Sequence, residues 1–184
     1  MKTLKLIGFA FLASVLSGSC SNDLNLTPRY GLNADAVYSD PGNYINVLAK
    51  LYAGLAISGN QGPAGMPDIG GIDEGFSQYV RVLWNLQELP TDEEVCGWND
   101  PGIPELNSMT WNDNSSFVSA MYYRIYYQIT LANEFLRYTD SQWMDDHSFS
   151  DQEKTMIIDM AAEARFLRAL SYYHALDLFG NVPF

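Results

Sequence analysis

The sequence predicts a mainly α-helical fold, and three observations carry that prediction. Apolar residues recur at spacings of three and four in three separate stretches, the pattern of a helix with one buried face. Start and stop signals bracket those stretches: Asp40-Pro41, Ser150 with Glu153, and Gly180 ahead of Pro183. Between the first and second helical stretches lies one long Gly- and Pro-punctuated excursion, so the helices must carry the core.

Taken in order, residues 20–32 (with SNDLNLTPRYGL after Cys20) read as an extended tether, and Asn33 to Ser39 as a short helix. Asp40 at the N-cap and Pro41 at the first helical position then open a helix. Its face is Tyr44, Val47, Leu48, Leu51, Tyr52 and Leu55, and its expected end is near Ser58-Gly59. Residues 59–113 are punctuated by Gly59, Gly62, Pro63, Gly65, Pro67, Gly70, Gly71, Pro90, Pro101, Gly102 and Pro104, and only Gln78 to Gln87 suggests a regular element. A loop-rich stretch of this length inside a domain tends to be functional. Helix returns after Asn114-Ser115, with Phe117, Met121, Ile125, Ile129, Ala132 and Leu136 on its face, and reaches about Tyr138. Ser150 to Glu153 forms a capping box, in which the serine hydroxyl and the glutamate carboxylate satisfy opposite amides of the first turn. That last helix runs through Ile157, Met160, Ala161, Ala164, Leu167 and Ala169 to Phe179, with Gly180 as its stop. Its alanines invite close approach of a neighbouring helix. The hairpin of 114–139 with 150–179 has the proportions of a tetratricopeptide-like unit, although one pair is not a repeat array. No linker or charged tail precedes Phe184, so residues 33–184 are expected to be the N-terminal part of a larger α domain.

The first twenty residues are of another kind. Lys2 and Lys5 precede the uncharged run Leu6 to Leu16, which is too short to span a bilayer. Ser17, Gly18 and Ser19 follow, then Cys20. A charged start, a short apolar stretch and a small-residue cleavage site describe a secretory signal peptide over 1–19. A cysteine directly after it points to a lipoprotein, in which the Cys20 thiolate takes a diacylglyceryl group through a thioether. Ser17 stands where an aliphatic residue is commonest.

Loss of Lys2 and Lys5 with the leader takes the formal charge from −12 to −14. An acidic surface repels phosphate backbones and excludes nucleic acid as a partner. It also disfavours electrostatic attachment to an anionic membrane, which leaves anchoring to the lipid. About 165 residues remain, enough for one domain with a core. With Cys20 acylated, Cys96 has no partner and reads as a buried, inert thiol.

Chemistry is best sought in the irregular segment, which gathers Asp73, Glu74, Tyr79, Arg81, Trp84, Asp92-Glu93-Glu94, Trp98-Asn99-Asp100 and Trp111-Asn112-Asp113. A pyranose presents an apolar C–H face to a flat aromatic ring. Its hydroxyls need paired donors and acceptors, which Asp, Asn and Arg supply. The alternative is that the tryptophans only pin a long loop to the helices. A glycoside hydrolase would need two carboxylates placed across a bond, and the contiguous Asp92, Glu93 and Glu94 read instead as a solvated turn. His174 lies on an aromatic helix face and reads as packing. Arg165 and Arg168 read as structural partners of acids on neighbouring helices. No EF-hand pattern is present, and neither a metal nor a cofactor is expected.

Several motifs together resemble a known family. They are Leu24-Asn25-Leu26-Thr27-Pro28 after the lipoprotein start, Leu86 to Glu93 followed by Trp98, and above all Ala162-Glu163-Ala164-Arg165-Phe166-Leu167-Arg168-Ala169-Leu170-Ser171-Tyr172-Tyr173 with the exit Leu178 to Phe184. In this order they resemble the SusD-like (RagB/SusD) outer-membrane lipoproteins. The resemblance implies tetratricopeptide-like helix pairs with a loop-rich ligand face. It implies a non-catalytic glycan-binding role at the cell surface, beside a TonB-dependent SusC-like transporter, and a chain much longer than this one. It points to Trp98, Arg81, Asn99 and Asp73 as glycan-binding residues. The competing expectation is an assembly lipoprotein that docks on a membrane partner and holds no glycan.

Overall fold

Asn33 begins the first element of the computed structural model, which describes residues 33–59 and 68–183. Cys20, the leader 1–19 and the tether 20–32 lie outside the described residues, as do Gly62, Pro63, Gly65, Pro67 and Phe184. The chain divides into a unit ending at Val37 and a unit running from Tyr38. At the end of the first, the Asn33 side-chain carbonyl accepts the Ala36 N–H at 2.7 Å and opens the short helix α1 (Ala34–Tyr38), as the sequence predicts.

In the second unit Asp40 caps a single 3-10 turn, Pro41–Asn43, by accepting the Gly42 N–H at 2.9 Å. Helix α2 (Tyr44–Ala53) follows and buries Tyr44, Leu48 and Leu51. It ends well before the expected Ser58. The Leu51 carbonyl, which a continuing helix would offer to Leu55, instead accepts the Gln128 amide at 2.6 Å, and Leu55 turns back to Tyr52. A Cβ at Gly54 would stand 2.5 Å from Gln128 Oε1, so glycine lets the side chain reach in.

Helix α3 (Tyr79–Glu88) is the regular element expected within the excursion. Helix α4 (Ile103–Asn107) corrects the reading of that region as otherwise irregular. Pro104 sits in its first turn, where the missing N–H has no helical acceptor anyway, so proline is compatible with a helix start there. Its Ile103 and Leu106 are buried with Phe76, Leu89 and Phe117, which fastens the loop to the helices. Gly102 enters α4 with φ +95°, and a Cβ there would meet the Phe117 ring at 2.8 Å.

Helices α5 (Ser116–Arg137) and α7 (Asp151–Phe179) form the long pair at the centre of the unit. Tyr122 meets Phe179 edge-on, while Arg168 donates to Asn133 at 2.7 Å, so the two run antiparallel. Between them Asp140 caps α6 (Ser141–Asp146), a helix absent from the sequence reading. The predicted capping box is present: Glu153 accepts the Ser150 hydroxyl at 2.6 Å and the Ser150 N–H at 2.8 Å, and these bonds lower the Glu153 pKa. Gly180 ends α7 with φ +72°. The exit is then held by the Tyr126 hydroxyl, which donates to the Pro183 carbonyl at 2.9 Å.

Two expectations about α7 need correction. Ala161 and Ala164 are buried against its neighbours, but Ala169 is exposed. The inner stripe continues through Leu167, Ser171 and Ala175, at steps of three and four from Ala164; five residues on from Ala164 turns Ala169 outward. Arg168 pairs with the amide of Asn133 rather than an acid, and Arg165 forms no ion pair among the described residues. Among the described residues no helix is long and apolar enough to cross a membrane.

Candidate functional site

The site begins with a buried phenylalanine. Asp73 caps the 3-10 turn Glu74–Phe76 by accepting the Gly75 N–H at 2.8 Å, and this turn drives Phe76 into contact with Phe117. On the third residue of α3, the Arg81 guanidinium lies 5.3 Å above the Phe76 ring. From the loop after α3, Trp98 meets Phe76 edge-on with centroids 5.8 Å apart, and Arg81 is 5.7 Å from its ring too. Three of the four predicted residues, Asp73, Arg81 and Trp98, are therefore gathered around one ring that the sequence reading had not singled out. The local signal for it was the Asp73-Glu74-Gly75 cap. Asn99 follows Trp98 in the exposed loop and makes no hydrogen bond among the described residues.

The cluster is accessible through its indole. Trp98 is 58% exposed. Arg81 is half-buried, and its Nε is itself buried with no hydrogen-bond partner among the described residues. The rings hold the cation by their quadrupoles and leave the enclosed Nε–H, an obligate donor, without an acceptor among the described residues. Arg81 is also the only basic residue between positions 68 and 113, a stretch with ten Asp and Glu.

Behind the cluster stands a buried ion pair. Arg124 of α5 donates from Nη1 and Nη2 to the two Asp68 oxygens at 2.8 and 2.7 Å. Its Nε donates to the Ser77 carbonyl at 2.6 Å, and Nη2 reaches Ser77 Oγ at 3.2 Å. Ser77 directly follows Phe76, so Arg124 fixes the backbone between the 3-10 turn and α3. Nothing in the helical periodicity marked Arg124, which sits at a position of the inner face where an apolar residue is the ordinary choice.

Concave surface adjoins the cluster. A cavity of about 140 Å³ is lined by Ile72, Asp73, Phe76 and Asp100, and one of about 300 Å³ by Trp111, Asn112, Asn114 and Glu105. Larger concavities lie elsewhere, about 560 Å³ beside Tyr123 and Tyr127 and about 640 Å³ beside Arg165 and Tyr173. Volume favours those, but a sugar ring requires a flat apolar platform with hydrogen-bonding edges more than depth.

The remaining candidates fall where their chemistry is ordinary. Asp92, Glu93 and Glu94 are exposed on the turn leaving α3, as expected. Cys96 is half-buried rather than enclosed, packed beside Leu89 and Ile103, and its carbonyl accepts from Asn107 at 3.2 Å. His174 packs against Tyr79, whose hydroxyl donates to Nδ1 at 2.9 Å when the ring is neutral. Burial lowers the His174 pKa, against the raising effect of Asp177, and burial pushes the Tyr79 hydroxyl up to about 12. Among the described residues no group of His, Cys, Asp and Glu could hold a metal ion.

No family model matches the chain. Over an alignment of 187 residues it is 38% identical to the starch-binding protein SusD of Bacteroides thetaiotaomicron, a match covering 100% of this chain and 31% of SusD. The chain belongs to the SusD-like family. It is also 31% identical over 80 residues to SusD-like protein P2 of Formosa agariphila, 44% of this chain and 14% of that protein. As a SusD-like chain it spans about a third of the length of SusD. Its mainly helical architecture agrees with the fold that the motifs implied.

Proposed function

We propose that this SusD-like chain belongs to a non-catalytic, lipid-anchored protein of the outer membrane, facing outside. It captures oligo- or polysaccharide and passes it to a TonB-dependent, SusC-like transporter. The observation that carries this reading is the 58% exposed Trp98 ring, with the Arg81 guanidinium held against it and Phe76. A pyranose stacked on the outer face of Trp98 would bring ring hydroxyls within reach of Arg81, with Asn99 and Asp73 supplying further polar edges. The name of SusD, a starch-binding protein, supports a glycan as the ligand class. The exposed Asp92-Glu93-Glu94 turn favours binding without bond cleavage. Cys20 carries the lipid, and the tether to residue 32 holds the domain near its transporter, raising its effective concentration there.

Titration of the purified protein against a panel of soluble polysaccharides tests this reading. Binding is expected to at least one, and Trp98→Ala should weaken it about tenfold. A flat titration with every polysaccharide overturns it. One observation favours the second reading, an assembly lipoprotein: Phe166, Tyr173 and Leu176 stand exposed along the outer side of α7. In that case a transporter would co-purify while the titrations stayed flat.

A further inference from the structure

Arg124 stands beside the fully buried Met121 and Ile125 on the inner face of α5, where an apolar side chain is the ordinary choice. A buried ion pair is poor evidence of a stability role, because apolar side chains of similar volume often hold such a position as well or better. What an apolar residue cannot do is make the bonds that Arg124 makes. Its fork closes on both Asp68 oxygens, and its Nε donates to the Ser77 carbonyl at 2.6 Å. Asp68 in turn accepts the Gly59 N–H at 3.3 Å. One side chain of α5 thus ties Gly59, Asp68 and Ser77 to the helical frame.

The Ser77 bond bears on the candidate site. The 3-10 turn Glu74–Phe76 is shaped by local bonds: Asp73 accepts the Gly75 and Phe76 N–H groups, and the Glu74 carbonyl accepts the Ser77 N–H. These fix the form of the turn and not its place on the helices. Its place is set by the Phe76 contact with Phe117, by Ser58, whose hydroxyl donates to Glu74 at 2.7 Å, and by Arg124. Of the two hydrogen bonds, the one from Arg124 is the buried one, where water cannot take its place. Ser77 adjoins Phe76 in the chain, and Arg81 and Trp98 both rest on the Phe76 ring.

We infer that Arg124 is a positioning residue for the proposed glycan site. With its side chain 2% exposed it touches no sugar. It holds Ser77, and through Ser77 the Phe76 ring, at the place where Arg81 and Trp98 meet. This rests on the glycan-binding reading and names what presets the site for its ligand. A preset platform spares the ligand the cost of ordering the loop, so loosening it lowers affinity without removing a contact. Lysine cannot replace arginine here, because one ammonium cannot grip Asp68 by two parallel bonds and serve the Ser77 carbonyl as well.

Isothermal titration with soluble starch and the rest of the polysaccharide panel separates positioning from stability. The proteins compared are wild type, Arg124→Lys, the double variant Asp68→Asn with Arg124→Met, and Leu48→Ala. The double variant leaves no buried charge, yet it releases the Ser77 carbonyl and should bind about tenfold more weakly than wild type. Arg124→Lys, which keeps a charge opposite Asp68, should retain the wild-type circular dichroism and lose affinity in the same direction. Leu48→Ala opens a cavity in the buried face of α2 and lowers Tm, but should keep wild-type affinity below its melting range. In ligand-free protein the Trp98 indole N–H resonance, assigned with Trp98→Phe, should move in both Arg124 variants and stay in place in Leu48→Ala. The positioning role is refuted, and the glycan-binding reading stands, if the folded Arg124 variants keep wild-type affinity, if the Trp98 resonance does not move in them, or if Leu48→Ala weakens binding as much. If wild type binds nothing in the panel, that reading falls and the positioning role with it.

Discussion

Replacing Asp68 with asparagine removes one charge and almost no volume, and should cost the unit more than any surface substitution. The Arg124 side chain is 2% exposed and the Asp68 side chain 15%, with two parallel N–H···O bonds between them. Asparagine keeps one acceptor and turns an NH2 donor toward the guanidinium, leaving a buried cation without its counter-charge. Breaking a buried pair in this way costs about 3–5 kcal/mol, against a total stability of about 5–15 kcal/mol. For a domain of this size that lowers Tm by about 6–20 °C. Urea unfolding followed by far-ultraviolet circular dichroism measures it. The double variant Asp68→Asn with Arg124→Met should regain part of the loss, since no charge remains buried. It should not regain all, because the Ser77 carbonyl loses its donor at a cost of about 1–3 kcal/mol. A single variant within 1 kcal/mol of wild type, on the order of an ordinary exposed pair, would refute the argument that this pair is a buried brace.

Three further outcomes follow from the same geometry. His174 has a folded pKa below its unfolded value, so the unfolded state binds the proton more readily; stability should be level above about pH 6.5 and fall as pH drops toward the folded pKa. His174→Gln should flatten that part of a urea-unfolding pH series, and an unchanged slope would show that another group is responsible. Gly102→Ala combines a left-handed backbone with a Cβ 2.8 Å from the Phe117 ring, and should destabilise by about 2–5 kcal/mol in thermal unfolding. With one arginine among ten acids in residues 68–113, the proposed glycan site around Trp98 should take neutral glycans with no dependence on sodium chloride concentration, while sulfated or uronate-rich glycans should bind more weakly at low salt. Equal binding of neutral and polyanionic glycans at low salt would refute this.

The parts of the fold legible in the sequence were those fixed by local rules. The capping box at Ser150, the stop at Gly180 and the periodic face of α5 depend on residues within a few positions of one another. What was not legible depended on partners far along the chain. Helix α2 ends early because Gln128, from α5, takes the Leu51 carbonyl. Helix α4 forms around a proline that read as a breaker, since its two apolar residues are buried by Phe117 and Leu89. Ala169 faces outward because the inner stripe of α7 passes through a serine, Ser171, that periodicity counts as polar.

The candidate site divides along the same line. Residue types named a wider set of rings and polar groups, because sugars demand both, and the family resemblance narrowed it to Asp73, Arg81, Trp98 and Asn99. They could not show that Phe76 is the ring on which Arg81 and Trp98 meet, nor that Arg124 holds the backbone beneath it. That division has a physical cause. A surface that holds carbohydrate must stay wet and exposed, so the residues proposed to contact it lie in a loop whose own contacts are few. Such a loop keeps a fixed shape only if it is fastened at intervals by groups that are not exposed. Here those fastenings are the Arg124–Asp68 pair with its bond to the Ser77 carbonyl, the Phe76 and Phe117 contact, and the Gly102 approach to Phe117. Each joins the loop to α5 or its start. The long helix pair is therefore the frame of the candidate site as well as the core, and a substitution deep in α5 should reach the proposed glycan surface by displacing Phe76.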